Sequence, residues 1–482
     1  MKRILPYLLP LLLCITYLTS CQEDIISEDP ALNLSFSRDT VSFDTVFTGI
    51  GSATQQVKIY NPNRNAVRID YIRLDSARWF RINVDGENDP TRLRDMELRG
   101  GDSLFVFIEV HVEPQNMNSP VLIEDAIRIG LNGHNQAIRL EAYGQDVHVL
   151  RSAGRMMRTG NYRFQNDKPY LIYDTVVVEG KMSFDPGSNL YMHDGSVLYA
   201  LGNVDAQGST AYPIRIQGAR RDRLFDSVPY RYAAGQWGGF YLVKADGMPI
   251  YVLDHVEITS ANVGLYCIGD EGESRPHLSL RNSLIHNHAL YGLVLQNVDA
   301  EVINTEISNA ASYCVYLAGG NHEITHSTIA SYFNSTNIRV QSTPRQDDAA
   351  LYINDLSKHM VPTRLRLRNS IVTGVRRNQW LLATPFPEYY PEEVYGNYLK
   401  TDTLEIPHAW GNVYWQDGDT AAVFRNDFYE YKVYRYYDFR LDSLSPARGI
   451  ADSVCALSYP TDRMGNSRVG KKPDAGCYQY TE

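Results

Sequence analysis

A segment of six residues recurs five times in the middle of the chain, and this repeat constrains the fold more than any other feature. The copies begin at Leu253, Leu280, Val302, Ile324 and Leu367. Each copy has an apolar residue first, His or Asn third and an apolar residue sixth. Runs this short and β-rich cannot build a helical solenoid, so they predict a parallel β-helix whose coils stack on one another. The offsets are 27, 22, 22 and 43 residues; the last fits either two coils or one coil with an inserted loop.

Apolar pairs follow each repeat and predict inward-facing side chains. The pairs are Leu265 with Cys267, Leu293 with Leu295, Val315 with Leu317, and Ile338 with Val340. Cys267 therefore occupies an inward apolar position, and Cys314 aligns with glycines near a bend. These two cysteines lie two coils apart, about 9–10 Å at the strand spacing. A disulfide cannot span that distance, so both are expected to be free thiols.

Segments before the repeat resemble a known superfamily. Val176–Gly180, Met182–Leu190 and Gly195–Ala200 are similar to the opening coils of pectin-lyase-like β-helix proteins, and Gly235–Leu242 resembles their Gly-x-Trp-Gly-Gly motif. The resemblance implies an all-β chain with a right-handed parallel β-helix, which we place at residues 160–385.

Residues 32–150 alternate apolar and polar side chains in seven or eight short runs separated by turn residues. This pattern predicts an antiparallel β-sandwich. Phe43–Val46, Arg99–Ser103 and Leu140–Gly144 resemble the immunoglobulin-like domain of the ASPM-SPD-2-hydin type. The resemblance implies a spacer or docking domain, and no catalytic constellation is visible in it.

The first twenty residues have a basic start at Lys2 and Arg3, an apolar run and then Cys21. This is the pattern of a secretory signal, residues 1–20. Leu18–Cys21 resembles the bacterial lipobox, which implies that Cys21 is acylated; an ordinary signal peptide is the alternative. Gln22 resembles the outer-membrane sorting class, so we expect a lipid-anchored outer-membrane protein, with the cell surface and the periplasmic side as the alternatives for the leaflet it faces. Residues 21–31 then form an acidic tether.

Residues 386–482 are rich in Tyr and end in Pro473–Tyr480, a segment that resembles the ending found after many extracellular β-helices. The structural interpretation is a cap over the open edge of the last coil. The functional one is an aromatic platform for sugars. The resemblance makes a disulfide between Cys455 and Cys477 worth testing, because Cys477 replaces a small residue. Candidate ligand-binding residues are Trp237, Trp410, Trp415, Tyr389 and Tyr390.

Catalytic and metal-binding motifs are incomplete. His322–His326 matches His-Glu-x-x-His, but its place in the repeat makes the segment extended, with the two His about 13 Å apart. His286 and His288 are expected on the surface of a turn, with no third ligand. Asp254, Glu257 and Glu306 do not stack into a cage, since Asp254 falls in a different column from the other two, which are two coils apart. No catalytic residue, metal or cofactor is therefore predicted.

Asp followed by Ser or Thr and a small or aliphatic residue occurs ten times, where composition gives about one or two. This resembles an O-glycosylation sequon of some Gram-negative anaerobes, and ordinary turn-to-strand chemistry explains it equally well. The central residues are Thr40, Thr45, Ser76, Ser103, Thr175, Ser227, Thr403, Thr420, Ser443 and Ser453.

The net charge of −10 and the lack of a basic tract argue against nucleic acid as a partner. The expected function is a non-catalytic envelope lipoprotein whose β-helical surface binds glycans or envelope proteins. The alternative is a polysaccharide lyase or glycoside hydrolase acting on polyuronates, by analogy of fold alone.

Overall fold

A computed structural model describes residues 25–89, 93–224, 228–270, 274–333, 348–354, 361–383, 393–401, 413–416, 422–427 and 436–481. The chain divides into two compact units, Met1–Asp146 and Val147–Glu482. Nearly all of the described secondary structure is β. The predicted fold class is confirmed: antiparallel sheets at the N-terminus precede a parallel β-helix.

The first unit contains a four-stranded and a five-stranded sheet. The four-stranded order is Ser35–Phe36, Gln55–Tyr60, Ser103–Val110 and Phe80–Val84. The five-stranded order is Thr40–Phe47, His134–Gln145, Val121–Leu131, Val67–Leu74 and Arg94–Leu98. Alternate residues of both sheets share one buried core, as the period-two pattern predicts. One pair departs from the antiparallel prediction, since Thr40–Phe47 runs parallel to His134–Gln145.

The second unit is built from coils of three strands, and the three sheets are named here in the order in which a coil visits them. The first sheet has eleven strands: His148–Leu150, Tyr170–Ile172, Asn189–Met192, Ile214–Gly218, Val256–Thr259, Leu284–His288, Glu306–Ala310, Thr328–Ser331, Ile371–Gly374, Tyr398–Leu399 and Tyr414–Trp415. The second sheet has nine: Met156–Thr159, Thr175–Val178, Val197–Ala200, Trp237–Val243, Ala261–Ile268, Tyr291–Gln296, Tyr313–Ala318, Ala349–Ile353 and Trp380–Leu382. The third sheet also has nine: Tyr162–Phe164, Met182–Phe184, Val204–Gln207, Ile250–Asp254, His277–Arg281, Asp299–Ile303, Gly320–Thr325, Thr363–Arg368 and Glu393–Tyr395.

The repeat occupies the third and first sheets in the predicted register. The five residues that begin the repeats pair in order across the third sheet. Ile324 pairs directly with Leu367, so the 43-residue offset is one coil with insertions and not two coils. The apolar pair of that coil is Leu351 and Ile353, which replaces the predicted Ile338 and Val340; those two lie outside the described residues. The predicted β-helix range is also exceeded at both ends, at His148 and at Trp415.

The polar column of the repeat makes the bend between the third and first sheets. Its members, His255, Asn282, Asn304, His326 and Asn369, all have φ between 47° and 52°. Asn and His tolerate this left-handed conformation better than most residues, which explains their recurrence. Asn304 donates to Asn282 in the preceding coil at 3.2 Å, so this column also joins neighbouring coils.

The His-Glu-x-x-His motif lies on an extended strand, as predicted. His322 and Glu323 belong to Gly320–Thr325, and His326 follows in the bend. His286 and His288 differ from the prediction of surface positions, since their exposures are 8% and 0%. They belong to Leu284–His288, where the C-terminal segment covers the outer side.

The C-terminal segment, defined as the described residues from 422 to 481, does not pack as the predicted cap. It contains the antiparallel strands Phe424–Asn426 and Asp438–Leu441 and the helix Ser453–Ser458. Short elements elsewhere are Arg223–Leu224, Val228–Pro229 and the 3₁₀-helix Tyr230–Tyr232. The segment lies along the outer face of the first sheet and shares a second apolar cluster with it.

Polar contacts fix this segment to successive coils. Arg463 donates to the carbonyl of Ser283 at 3.1 Å, and Tyr478 donates to Glu306 at 2.6 Å. The Cys477 amide donates to Thr328 at 3.1 Å, and the Gly476 amide donates to the carbonyl of Asn369 at 2.8 Å. The segment therefore ties neighbouring coils together from the side.

Candidate ligand-binding surfaces

Seven half-buried tyrosines lie on the outer face of the second sheet, and we call this surface the tyrosine face. They are Tyr199, Tyr241, Tyr266, Tyr291, Tyr313, Tyr316 and Tyr352. Five of them stand in one column between inward apolar residues: Tyr199, Tyr241, Tyr266, Tyr316 and Tyr352. Val294 stands in the same column between Tyr266 and Tyr316. The tyrosine face thus extends over six consecutive strands of the sheet.

The rings of the tyrosine face stack on one another. Ring centroids are 5.0 Å apart for Tyr199 and Tyr241, and 5.5 Å apart for Tyr241 and Tyr266, each pair with an interplanar angle of 27°. Tyr313 and Tyr352 stack at 4.3 Å and 6°. Within these pairs each ring covers part of its neighbour's face, and the half-buried side chains keep part of each ring in contact with solvent.

The hydroxyls of the tyrosine face are uncharged hydrogen-bonding groups. Tyr266 donates to Gln296 Oε1 at 2.7 Å, and Tyr316 accepts from Asn354 Nδ2 at 2.7 Å. Burial raises the pKa of Tyr241, Tyr266 and Tyr352 above the ordinary value. These phenols therefore stay protonated at neutral pH and can both donate and accept.

The sequence pattern that indicates this face lies between the residues of the inward apolar pairs. Tyr266 stands between Leu265 and Cys267, Tyr316 between Val315 and Leu317, and the same pattern recurs around Tyr199, Tyr241 and Tyr352. In a strand, the residue between two inward side chains faces outward. Reading that middle column would have predicted the tyrosine face.

A second feature is a polar groove of ≈ 290 Å³ on the outer side of the third sheet. It is lined by His277, Asp299, Ala300, Glu301, Asn321, His322, Glu323, Arg364 and Arg366. Glu301 pairs in register with Glu323, and Glu323 with Arg366. Two carboxylates therefore stack about 4.8 Å apart along the sheet, followed by a guanidinium in the next coil.

Ion pairs engage the two stacked carboxylates of the groove. Glu301 pairs with Arg281 at 2.7 Å and Glu323 with Arg368 at 2.6 Å. Burial opposes the charge on Asp299, but hydrogen bonds from Arg275 and Asn321 outweigh it and keep the pKa of Asp299 below its ordinary value. Asp299 is thus a poor proton donor at neutral pH.

The predicted ligand-binding residues do not converge. Trp237 is 1% exposed and donates from Nε1 to the carbonyl of Thr259 at 2.9 Å, so it belongs to the core and cannot stack on a ligand. Trp415 is half-buried against the β-helix core in the last strand of the first sheet. Trp410, Tyr389 and Tyr390 lie outside the described residues.

The proposed disulfide is absent, because Cys455 and Cys477 are both free thiols. The Cys477 sulfur is buried and lies 3.3 Å from Thr328 Oγ1, whereas the Cys455 amide, in the first turn of the helix Ser453–Ser458, donates to the capping Asp452. The predicted free thiols Cys267 and Cys314 are confirmed.

The O-glycosylation candidates are accessible where the structure describes them. None of Thr40, Thr45, Ser76, Ser103, Thr175, Ser443 and Ser453 is buried. Ser227, Thr403, Thr420 and the lipidation candidate Cys21 lie outside the described residues. In the described ranges no helix is long and apolar enough to cross a membrane, and no group of three or more His, Cys, Asp or Glu residues is placed to hold a metal ion.

Comparisons with known proteins give little beyond this geometry. No family model and no curated protein matches the chain. A family 123 glycoside hydrolase from Clostridium perfringens is similar at 6% identity and a TM-score of 0.19, over 25% of this chain and 30% of the hydrolase. The ASH/PapD-like domain 7 of human CEP192 is similar at 12% identity and a TM-score of 0.18, over 26% of this chain and 95% of that domain. The chain spans less than a third of the hydrolase, and similarities this low carry no argument about function.

Proposed function

We propose that this protein binds polysaccharide through the tyrosine face and does no chemistry there. The observation that carries the proposal is the set of seven half-buried tyrosines over six consecutive strands. At least one tyrosine on every strand offers both apolar contact and repeated hydrogen bonds to a polymer of hydroxylated rings. A rigid scaffold holds these groups in place before binding, which lowers the entropic cost of association.

Alanine at two well-separated positions of the face tests this proposal. We expect the double variant Tyr241→Ala/Tyr352→Ala to lower affinity for a retained polysaccharide by roughly a hundredfold, because it removes two aromatic contacts. Affinity electrophoresis against a panel of neutral and acidic polysaccharides measures it, with thermal unfolding to confirm the fold. The matched control is Tyr143→Ala, an exposed tyrosine of the first unit. Wild-type protein that passes every polysaccharide gel unretarded would refute the proposal.

The second candidate, a lyase or hydrolase on polyuronates, rests on the groove of the third sheet. Its stacked Glu301 and Glu323, with Arg366 beside them, combine carboxylates and a cation on one surface. Arg281 and Arg368 already engage these two carboxylates, which weighs against their contacting a glycosidic bond as glycoside hydrolysis requires. New reducing ends or ultraviolet-absorbing unsaturated uronates from the same panel, lost in Glu323→Gln, would make this the function.

We further propose that Cys21 carries lipid and anchors the chain in a bacterial outer membrane, with the first unit as an immunoglobulin-like spacer. More than one acyl chain at this residue would give stable attachment. Radiolabelled palmitate supplied to cells is expected to label the wild-type chain, and Cys21→Ser is expected to lose the label and leave the membrane fraction. Equal labelling of both chains would contradict the assignment.

A further inference from the structure

The strands of the tyrosine face carry no charged residue where the face is broadest. Trp237–Val243, Ala261–Ile268, Tyr291–Gln296, Tyr313–Ala318 and Ala349–Ile353 contain no Asp, Glu, Lys, Arg or His. The third sheet differs, since it carries charges of both signs. Asp299–Ile303 and Gly320–Thr325 carry acidic residues, and Thr363–Arg368 carries arginines. An uncharged face offers no ion pair to a polyanion, and the net charge of −10 repels one. The tyrosine face therefore suits a neutral ligand.

The tyrosines of the face repeat at the spacing of the strands in the sheet. Neighbouring coils lie about 4.8 Å apart, and the centroid separations of 5.0 and 5.5 Å follow this spacing. A ligand that contacts the hydroxyls in turn must present a hydrogen-bonding group at the same interval along a straight line. Extended chains of equatorially linked pyranoses, of the β-1,4 type, have one sugar at about this interval. Successive sugars are turned over, and each of them still presents hydroxyls at its edges. Chains of α-1,4-linked glucose coil and leave such a line.

The chemistry of the hydroxyls fits this ligand. The Tyr266 proton is committed to Gln296, which leaves its oxygen to accept from a sugar hydroxyl. Tyr316 accepts from Asn354, which leaves its proton to donate. The half-buried rings of the tyrosine face supply apolar contact with the C–H groups of the sugar. Flat sugar rings cannot enter between tyrosine rings stacked at 4.3–5.5 Å, so the chain lies over the stack and not within it.

We infer that the ligand of the tyrosine face is a neutral, extended β-1,4-type polysaccharide that lies along the axis of the β-helix with one sugar per coil. The inference rests on the proposed function, since it names the ligand class of the same surface. Six strands span about 24 Å between the first and last tyrosine, so six sugars fill the face.

Calorimetric titration of the full chain in detergent tests the inference with three hexasaccharides: cellohexaose, maltohexaose and hexagalacturonate. We expect cellohexaose to bind at least tenfold more tightly than the other two, and its affinity to change less than twofold between 50 and 500 mM NaCl. Within the β-1,4-linked glucose series from two to eight sugars, affinity should rise with length up to six and then level off. Equal or tighter binding of maltohexaose or hexagalacturonate would overturn the inference, as would a salt-sensitive affinity or a plateau at two or three sugars.

Removing one hydroxyl without its ring separates binding at the face from binding elsewhere. Tyr266→Phe is expected to lower the affinity for cellohexaose by roughly three- to tenfold, the effect of one hydrogen bond. Tyr143→Phe, on the first unit, should leave this affinity unchanged. A loss in neither variant places the ligand off the tyrosine face and overturns the inference. If no saccharide binds at all, the proposed function fails; if only the other hexasaccharides bind, the ligand class alone fails.

Discussion

Replacement of Arg463 by Met is expected to lower the free energy of unfolding of the second unit by about 3–5 kcal/mol, because it removes the buried cation that faces Glu257 and, through Tyr478, Glu306. The Arg463 side chain is 10% exposed and lies 3.3 Å from Glu257. It also donates to Tyr478, whose hydroxyl donates to Glu306. Burial raises the pKa of Glu306, while Arg463 and the hydrogen bonds from Ser308 and Tyr478 oppose that rise.

The effect of Arg463→Met should depend on pH in a defined direction. The folded-state pKa of Glu306 lies above its ordinary value, so its contribution to stability is greatest at low pH and declines as the pH rises. Loss of the guanidinium raises that pKa further, and the difference from wild type should therefore be larger at pH 8 than at pH 5. Urea unfolding at both pH values measures it. Arg163→Met, at an exposed ion pair with Asp185, should leave the midpoint unchanged; an equal loss in both variants would contradict the argument.

Trp237→Ala is expected to cost about 3–5 kcal/mol of stability, since a large core side chain leaves a cavity that the coils cannot close. Trp237 is packed in the core of the β-helix, where its Nε1 reaches the first sheet at Thr259. Trp237→Phe keeps a ring but leaves the Thr259 carbonyl unpaired, and should cost about 1–3 kcal/mol.

Glycan affinity provides the contrast for the Trp237 variants. At a temperature where the variants remain folded, both should bind cellohexaose as wild type does, because Trp237 is 1% exposed. Denaturant unfolding gives the stability and calorimetry gives the affinity. A stable Trp237→Ala protein that has lost binding would restore this residue to the ligand site.

The β-helix could be predicted because its signal is local and periodic. Ile258, Ile285 and Ile307 repeat at intervals set by the coil, and the inward columns they form are those of the structure. The sequence could not decide whether the 43-residue offset is two coils or one coil with insertions, because the apolar columns look the same in both cases. The same periodicity predicts the tyrosine face, because its tyrosines stand between the inward residues. A prediction from the inward residues alone does not include it.

The position of the C-terminal segment could not be predicted from the sequence. Its contacts join residues far apart in the chain: Arg463 and Ser283 are 180 residues apart, and Tyr478 and Glu306 are 172 apart. Such pairs obey no period, and a polar aromatic segment after a solenoid fits a terminal cap as well as a lateral one. The buried His286 shows the same limit, because its partner Tyr436 is 150 residues away.

The lateral C-terminal segment gives synthesis of this chain an order of events. Coils that contain Glu257, Ser283 and Glu306 leave the ribosome well before Arg463 and Tyr478, so one side of the first sheet is still uncovered at that stage. Each coil can stack on its predecessor during that interval, but the side contacts form only after Arg463 and Tyr478 have been synthesised. A chain that stops short of these two residues would expose this side of the sheet to proteases along several coils at once.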